Sequence, residues 1–178
     1  MLEKTPGGKI TTAKLAKEIG VSEATLYRHF PSKTKMYEGL IDFIENTIFS
    51  RIVTILKEEA DITERCFRIL MLILTFSERN PGITRILTGD ALTGETTKLH
   101  GRVRQLFDRI EVQLKQILRE AEINHGVRTT FTVSVSANML LALTEGRMAQ
   151  FVRSNFEYPP TKNWEDQWSL AMVGFFRD

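Results

Sequence analysis

Residues 11–35 read TTAKLAKEIGVSEATLYRHFPSKTK, and they predict two short helices joined by a tight turn. Thr11 or Thr12 can cap the first helix, because a threonine oxygen accepts a hydrogen bond from an otherwise unpaired backbone N–H. Gly20 ends that helix, since a residue without Cβ reverses the chain at little cost. Ser22 caps the second helix. This arrangement is typical of a helix-turn-helix, whose second helix lies in the major groove of DNA.

The second helix covers residues 24–30 and stops at Pro31, which has no N–H to donate. Leu26 and Phe30 lie four residues apart, which predicts that they face the core. The polar residues of the same helix are expected on the exposed surface. An ordinary helical hairpin within a larger bundle is the alternative interpretation. Charge favours DNA: residues 1–35 carry seven Lys/Arg against three Asp/Glu, a net of +4, and the other 143 residues carry 17 against 19, a net of −2. Concentrated positive charge binds phosphates through counterion release.

The length of 178 residues predicts a DNA-binding domain at residues 1–35 and one larger helical domain at residues 36–178. The composition, 42% hydrophobic and 26% charged, is that of a globular protein. One cysteine, Cys66, excludes an internal disulfide and fits a reducing cytoplasm, and its apolar neighbours predict that it is buried. The sequence contains no run of 18 apolar residues, so it predicts no membrane-spanning helix.

The remaining chain predicts an all-α fold, because its apolar residues recur at spacings of three and four. A long helix capped by Ser32 connects the DNA-binding domain, called the head below, to the larger helical domain, called the body. The helix that follows it is apolar nearly all round, which predicts that it lies buried at the centre of the body. The body helices are expected at about residues 33–59, 61–79, 83–87, 97–122, 132–156 and 164–176. The last of them carries too many large apolar groups for a lone terminal helix, which predicts a homodimer. The expected dimer contacts are Phe151, Trp168, Phe175 and Phe176.

Residues 1–9 read MLEKTPGGK and leave room for only part of the helix that normally precedes such a motif. We therefore expect the first helix of the head to be incomplete, with the chain beginning inside it. No catalytic motif occurs elsewhere: the three histidines are scattered, and HExxH, GxSxG and paired cysteines are absent. We expect no enzyme activity, no metal and no cofactor.

The stretch TTAKLAKEIGVSEATLYRHFPSK closely resembles the DNA-binding motif of the TetR family, whose members are all-helical homodimers of bacterial regulators. The resemblance implies that Tyr27 and His29 contact phosphates, and that Lys33 anchors the following helix on the DNA backbone. Ala24 and Thr25 lie on the base-facing side. The full set expected at the DNA is Thr11, Thr12, Ser22, Ala24, Thr25, Tyr27, Arg28, His29 and Lys33.

Four sequence segments in the body are similar to those of the nucleoid occlusion factors within the TetR family. They are GLIDFIE (39–45), FSERNPGITRILTGDAL (76–92), RVRQLFDRIEVQLKQILRE (102–120) and AQFVRSNFEYPPT (149–161). The resemblance implies a cytoplasmic, nucleoid-associated dimer that binds palindromic DNA and antagonises polymers of FtsZ, the tubulin-like division protein. The positions matching its FtsZ-binding region are Phe43, Arg51, Arg79 and Asn80.

The chain departs from that family's pattern after the tripeptide LTG, where Asp90, Thr93 and Gly94 replace a histidine and a Met-Phe pair. We expect this change to weaken a partner surface or to reshape the loop. The alternative function is a transcriptional repressor that a small-molecule ligand releases from DNA. A sizeable closed apolar pocket would favour that alternative, and a filled core would favour the division antagonist.

Overall fold

The computed structural model describes residues 11–18 and 20–177, with only the backbone of Glu18. Its described part contains eight α-helices and one 3-10 turn, and the only strand-like pairing there is an isolated bridge between Thr129 and Phe176. The predicted all-α fold is confirmed. The elements are α1 (Thr12–Glu18), α2 (Glu23–His29), α3 (Lys33–Glu58), α4 (Ile62–Arg79), α5 (Pro81–Leu87), the 3-10 turn (Asp90–Leu92), α6 (Thr97–His125), α7 (Val133–Arg153) and α8 (Trp164–Met172).

The helix-turn-helix is present with the predicted turn chemistry. Gly20 has φ of 72°, and the Val21 N–H donates to the Ala16 carbonyl at 3.0 Å, which is the long hydrogen bond of a Schellman ending. The Ser22 hydroxyl accepts from the Thr25 N–H at 3.1 Å, so Ser22 caps α2 as expected. The prediction of an incomplete preceding helix falls on residues 1–10, outside the described residues.

Helix α3 runs unbroken from the head into the body. The Ser32 hydroxyl caps it by accepting from the Lys35 N–H at 3.1 Å. Ile44, Ile48 and Ile52 are buried along one side, which confirms the predicted apolar stripe. Because α3 is continuous, the predicted domain boundary after residue 35 falls inside its first turn.

Helix α4 lies at the centre of the body and contacts α3, α5, α6 and α7. Ile69, Leu70 and Leu74 are fully buried there. Cys66 is buried too, as predicted, and burial raises the pKa of its thiol to about 12, so the thiol stays protonated. Among the described residues, no helix is both long and apolar enough to cross a membrane.

The last two helices end earlier than predicted. Helix α7 ends at Arg153 rather than near residue 156, because Asn155 and Phe156 have φ of 53° and 69°, which is left-handed backbone. Helix α8 ends at Met172 rather than at residue 176. The chain then turns at Gly174, which has φ of 68°, and the Phe175 carbonyl accepts from the Thr130 N–H at 2.8 Å. A backbone pairing with a distant segment therefore replaces the last helical turn.

The four expected dimer contacts lie instead in or against the chain's own core, which corrects that prediction. Phe151, Trp168 and Phe175 are all less than 9% exposed, and Phe176 is half-buried with its ring centroid 4.9 Å from that of Phe175. The Trp168 ring lies 5.7 Å from that of Phe67 on α4. Trp168 therefore packs α8 on α4, whereas Phe175 and Phe176 follow the end of α8.

Candidate DNA-binding and partner-binding surfaces

The second helix of the motif, α2, presents a polar face to solvent. Leu26 is its buried anchor, and the side chains that follow Ser22 on the outer side are exposed. Phe30, expected in the core, is 38% exposed because it lies past the helix end with extended backbone. The structure exposes six of the predicted DNA-binding residues, namely Thr11, Ser22, Ala24, Tyr27, Arg28 and His29.

Hydrogen bonds fix α2 on α1 beside that face. The Tyr27 hydroxyl donates to Thr12 Oγ1 at 3.0 Å, and Thr12 in turn donates to Glu23 Oε2 at 3.2 Å. Thr11 Oγ1 accepts from the Lys14 N–H at 3.3 Å and so caps α1. Thr12 therefore holds α2 on α1 through Tyr27 and Glu23, whereas Thr11 acts within α1 alone.

Lys33, the first residue of α3, is not a free cation. Its Nζ forms an ion pair with Glu95 of the loop before α6, and it lies 5.6 Å from the centroid of the Tyr37 ring. Burial, with the Glu95 charge second, raises the pKa of Tyr37 to about 12, so its protonated hydroxyl donates to the Ala91 carbonyl at 3.3 Å. The sequence pattern gave no sign of Glu95 or Tyr37 in this role.

A second ion-pair group holds the same end of α3 against α6. The Glu38 carboxylate pairs with Lys35 Nζ at 2.7 Å and with Lys98 Nζ at 2.6 Å. Hydrogen bonds from these two ammonium groups lower the pKa of Glu38 to about 2. The orientation of the head is therefore linked to the start of α6 by charged contacts at two neighbouring points.

The resemblance implies that Lys33 contacts a DNA phosphate, and this expectation gives a first prediction. Lys33→Ala should weaken DNA binding about equally for all sequences and lower the salt slope of log K by about 1 for each head. Thr25→Val, on the base-facing side, should instead change sequence preference. Titrations of several duplexes at several salt concentrations separate the two effects. A sequence-selective effect of Lys33→Ala would contradict its assignment to phosphate.

The residues predicted to bind a partner lie on two separate helix regions. On α3, Phe43 is 55% exposed and Arg51 is exposed. At the end of α4, Arg79 is exposed, whereas Asn80 is half-buried and donates through Nδ2 to the Phe76 carbonyl at 2.8 Å. Within the described part of the chain, no hydrogen bond, ion pair or ring contact joins the first two to the second two. Asn80 thus has a structural role in closing α4.

The loop that departs from the family pattern packs beside a buried cation, and the expected change relative to the family stays a prediction. Asp90 forms an ion pair with Arg85, whose side chain is 2% exposed. The Thr93 hydroxyl donates to the Asp90 carbonyl at 3.1 Å, and Gly94 has φ of 79°. These substitutions therefore form a compact turn that carries Glu95 toward the head.

An exposed apolar face lies on α7 and α8. It includes a groove of about 470 Å³ between the two helices, where Ala142 and Gly146 leave room for close approach. We call this the α7–α8 face. Its large apolar members are Val135, Met139, Leu143, Leu170 and Val173.

Comparison with known proteins connects both regions to one family. Residues 8–40 match the model of the TetR family of bacterial regulatory proteins, and residues 60–174 match a SlmA-like tetracyclin repressor-like C-terminal domain. The nucleoid occlusion factor SlmA of Shewanella pealeana is 57% identical over 170 residues, which cover 96% of this chain and 86% of that protein. The chain belongs to the SlmA family. The SlmA of a Marinomonas species is 53% identical over the same shares of the two chains.

Solved structures share the SlmA-family fold at low sequence identity. The ketosteroid regulator KstR2 of Mycobacterium tuberculosis superposes with a TM-score of 0.79 at 16% identity, covering all of this chain and 90% of that one. The FadR regulator of Bacillus subtilis, solved with stearoyl-CoA, has a TM-score of 0.78 at 16% identity, covering 93% and 89%. The predicted TetR architecture is confirmed, and the matched families are DNA-binding regulators rather than enzymes.

Proposed function

We propose that this SlmA-family protein binds palindromic chromosomal sites as a homodimer and, when bound, antagonises FtsZ polymers. It would thereby block assembly of the division septum over the nucleoid, acting in the cytoplasm at the DNA. The observation that carries the proposal is similarity to nucleoid occlusion factors over both the head and the body.

The head supports the DNA half of this proposal. Its second helix, α2, exposes Tyr27, Arg28 and His29, and residues 1–35 around it carry a net charge of +4. Phosphate contacts supply affinity and position the helix, while base contacts supply specificity. Two such heads related by a twofold axis would read a palindrome.

The exposed flank of α3 supports the FtsZ half. Arg51 lies eight residues after Phe43, which is two turns along and about 80° around the helix. An exposed aromatic ring near an arginine suits a peptide that is both acidic and apolar, because arginine pairs with carboxylates while the ring supplies contact area. Arg79 adds a second exposed cation, and the proposal is that one FtsZ peptide contacts both helix regions.

Co-sedimentation with polymerised FtsZ, with and without palindromic DNA, tests the proposal. We expect the wild-type protein to antagonise the polymers only when DNA is present. Arg51→Ala should abolish this effect and leave DNA affinity unchanged, since Arg51 lies outside the head. Lys57→Ala is the matched control, because it removes another exposed cation from the same helix. Full activity of the Arg51→Ala protein would overturn this site assignment.

The same experiment addresses the alternative of a ligand-released repressor. The cleft formed by α5, α6 and α7 has a volume of about 240 Å³ and is lined by Leu87, Thr88, Phe107, Glu145, Met148 and Ala149. Pockets for drug-sized ligands usually have about 300–1,000 Å³, so this cleft is smaller than that range. The groove of the α7–α8 face and a pocket lined by Tyr158 and Lys162 reach it, at about 470 and 510 Å³. A wild-type protein that binds DNA and has no effect on FtsZ would favour the repressor.

A further inference from the structure

The ion pair between Lys33 and Glu95 connects the DNA-binding head to the body across 62 residues of sequence. Lys33 follows α2 by only a few residues and begins α3. Glu95 lies in the short segment between the 3-10 turn and α6. Both side chains are largely shielded, with exposures of 26% for Lys33 and 15% for Glu95. This is therefore a partly buried ion pair, which solvent and salt screen less than a surface pair.

The loop holds Glu95 in position through its own backbone. The Glu95 N–H donates to the Leu92 carbonyl at 2.8 Å, and Leu92 is fully buried. The Tyr37 hydroxyl reaches the Ala91 carbonyl of the same loop, so the first turns of α3 rest directly on it. Glu95 cannot move away from Lys33 without loss of these neighbouring contacts or a change of side-chain rotamer.

A lysine at this position has two competing anions once DNA is near. The phosphate that Lys33 would contact has the same charge as the Glu95 carboxylate and approaches the same ammonium group. DNA must therefore displace the Glu95 carboxylate from Lys33 or bind beside it. Either route lowers the affinity of the protein for DNA.

We propose that Glu95 is a body residue that limits DNA affinity by competing with a DNA phosphate for Lys33. The inference rests on the DNA-binding function proposed above. Because linkage between two binding equilibria is reciprocal, DNA bound at Lys33 would release the Glu95 loop, and a partner that holds Glu95 away from Lys33 would strengthen DNA binding. Glu95 is a positioning residue here and need not touch DNA.

The test is the affinity of the full chain for a palindromic duplex that the protein selects from a random-sequence pool. Glu95→Gln keeps the shape of the side chain and removes its charge. We expect it to raise affinity about two- to fivefold for each head, the range that a weak ion pair allows. Glu64→Gln is the matched control, because it makes the same charge change at an exposed residue on α4.

A double-mutant cycle separates competition at Lys33 from a general charge effect. In a Lys33→Gln background, the gain from Glu95→Gln should shrink to the small gain that Glu64→Gln produces. An equal gain from both glutamate changes in the wild-type background, or lower affinity of Glu95→Gln, would overturn the inference alone. A wild-type protein that binds no duplex would overturn the DNA-binding proposal and the inference together. Unfolding midpoints measured for every variant show whether each one folds.

Discussion

Replacing Trp168 with alanine is expected to lower the free energy of unfolding by about 3–5 kcal/mol, the usual cost of truncating a buried aromatic residue. Trp168 is 8% exposed, and its ring lies 5.7 Å from that of Phe67 and 6.3 Å from that of Trp164. The change removes these contacts and leaves a cavity between α8 and α4. Denaturant unfolding at one fixed protein concentration measures the loss, since the stability of a dimer depends on concentration.

Trp168→Phe serves as the control, because it keeps an aromatic ring and should cost clearly less than alanine. The alanine variant, where it remains folded, should still sediment as a dimer. A monomer with unchanged unfolding free energy would contradict the placement of Trp168 in the core and return it to the interface.

Leu143→Glu combined with Leu170→Glu is expected to give a folded monomer that binds palindromic DNA at least about 100-fold more weakly. Both leucines are exposed on the α7–α8 face, so the single chain loses little packing. In a dimer they would be buried, and an unpaired buried charge is costly. The loss of DNA affinity follows because two linked heads gain about 10²–10⁴ from simultaneous binding. Sedimentation and DNA titration measure the two effects.

Val112→Glu on α6 is the matched control for this experiment. Val112 is 56% exposed but lies outside the α7–α8 face, so its variant should remain dimeric and bind DNA normally. Dimers that persist in the double variant would place the interface on another surface. Together with the Trp168 result, this comparison separates residues that hold the chain together from residues that hold two chains together.

The sequence by itself determined the head and the long connecting helix. Gly20, Ser22 and Ser32 act on backbone groups within a few residues of themselves, so the turn and both caps follow from local chemistry alone. The isoleucines of α3 recur at the helical period and identify its buried side in the same way. The sequence segments shared with known regulators then predicted the family, which the comparisons confirm.

Only the tertiary structure decided which apolar groups face inward and which charges meet. The sequence shows that α7 and α8 carry more large apolar groups than one face needs, but packing within the chain buries Phe151 and Trp168 and leaves Leu143 and Leu170 outside. Likewise, α8 ends early because a distant segment supplies hydrogen bonds to the chain that follows it. The pairing of Lys33 with Glu95 depends on how the 3-10 turn packs against α3. Contacts of this kind leave no periodic signal, because their partners are far apart along the chain and meet only after the helices have packed.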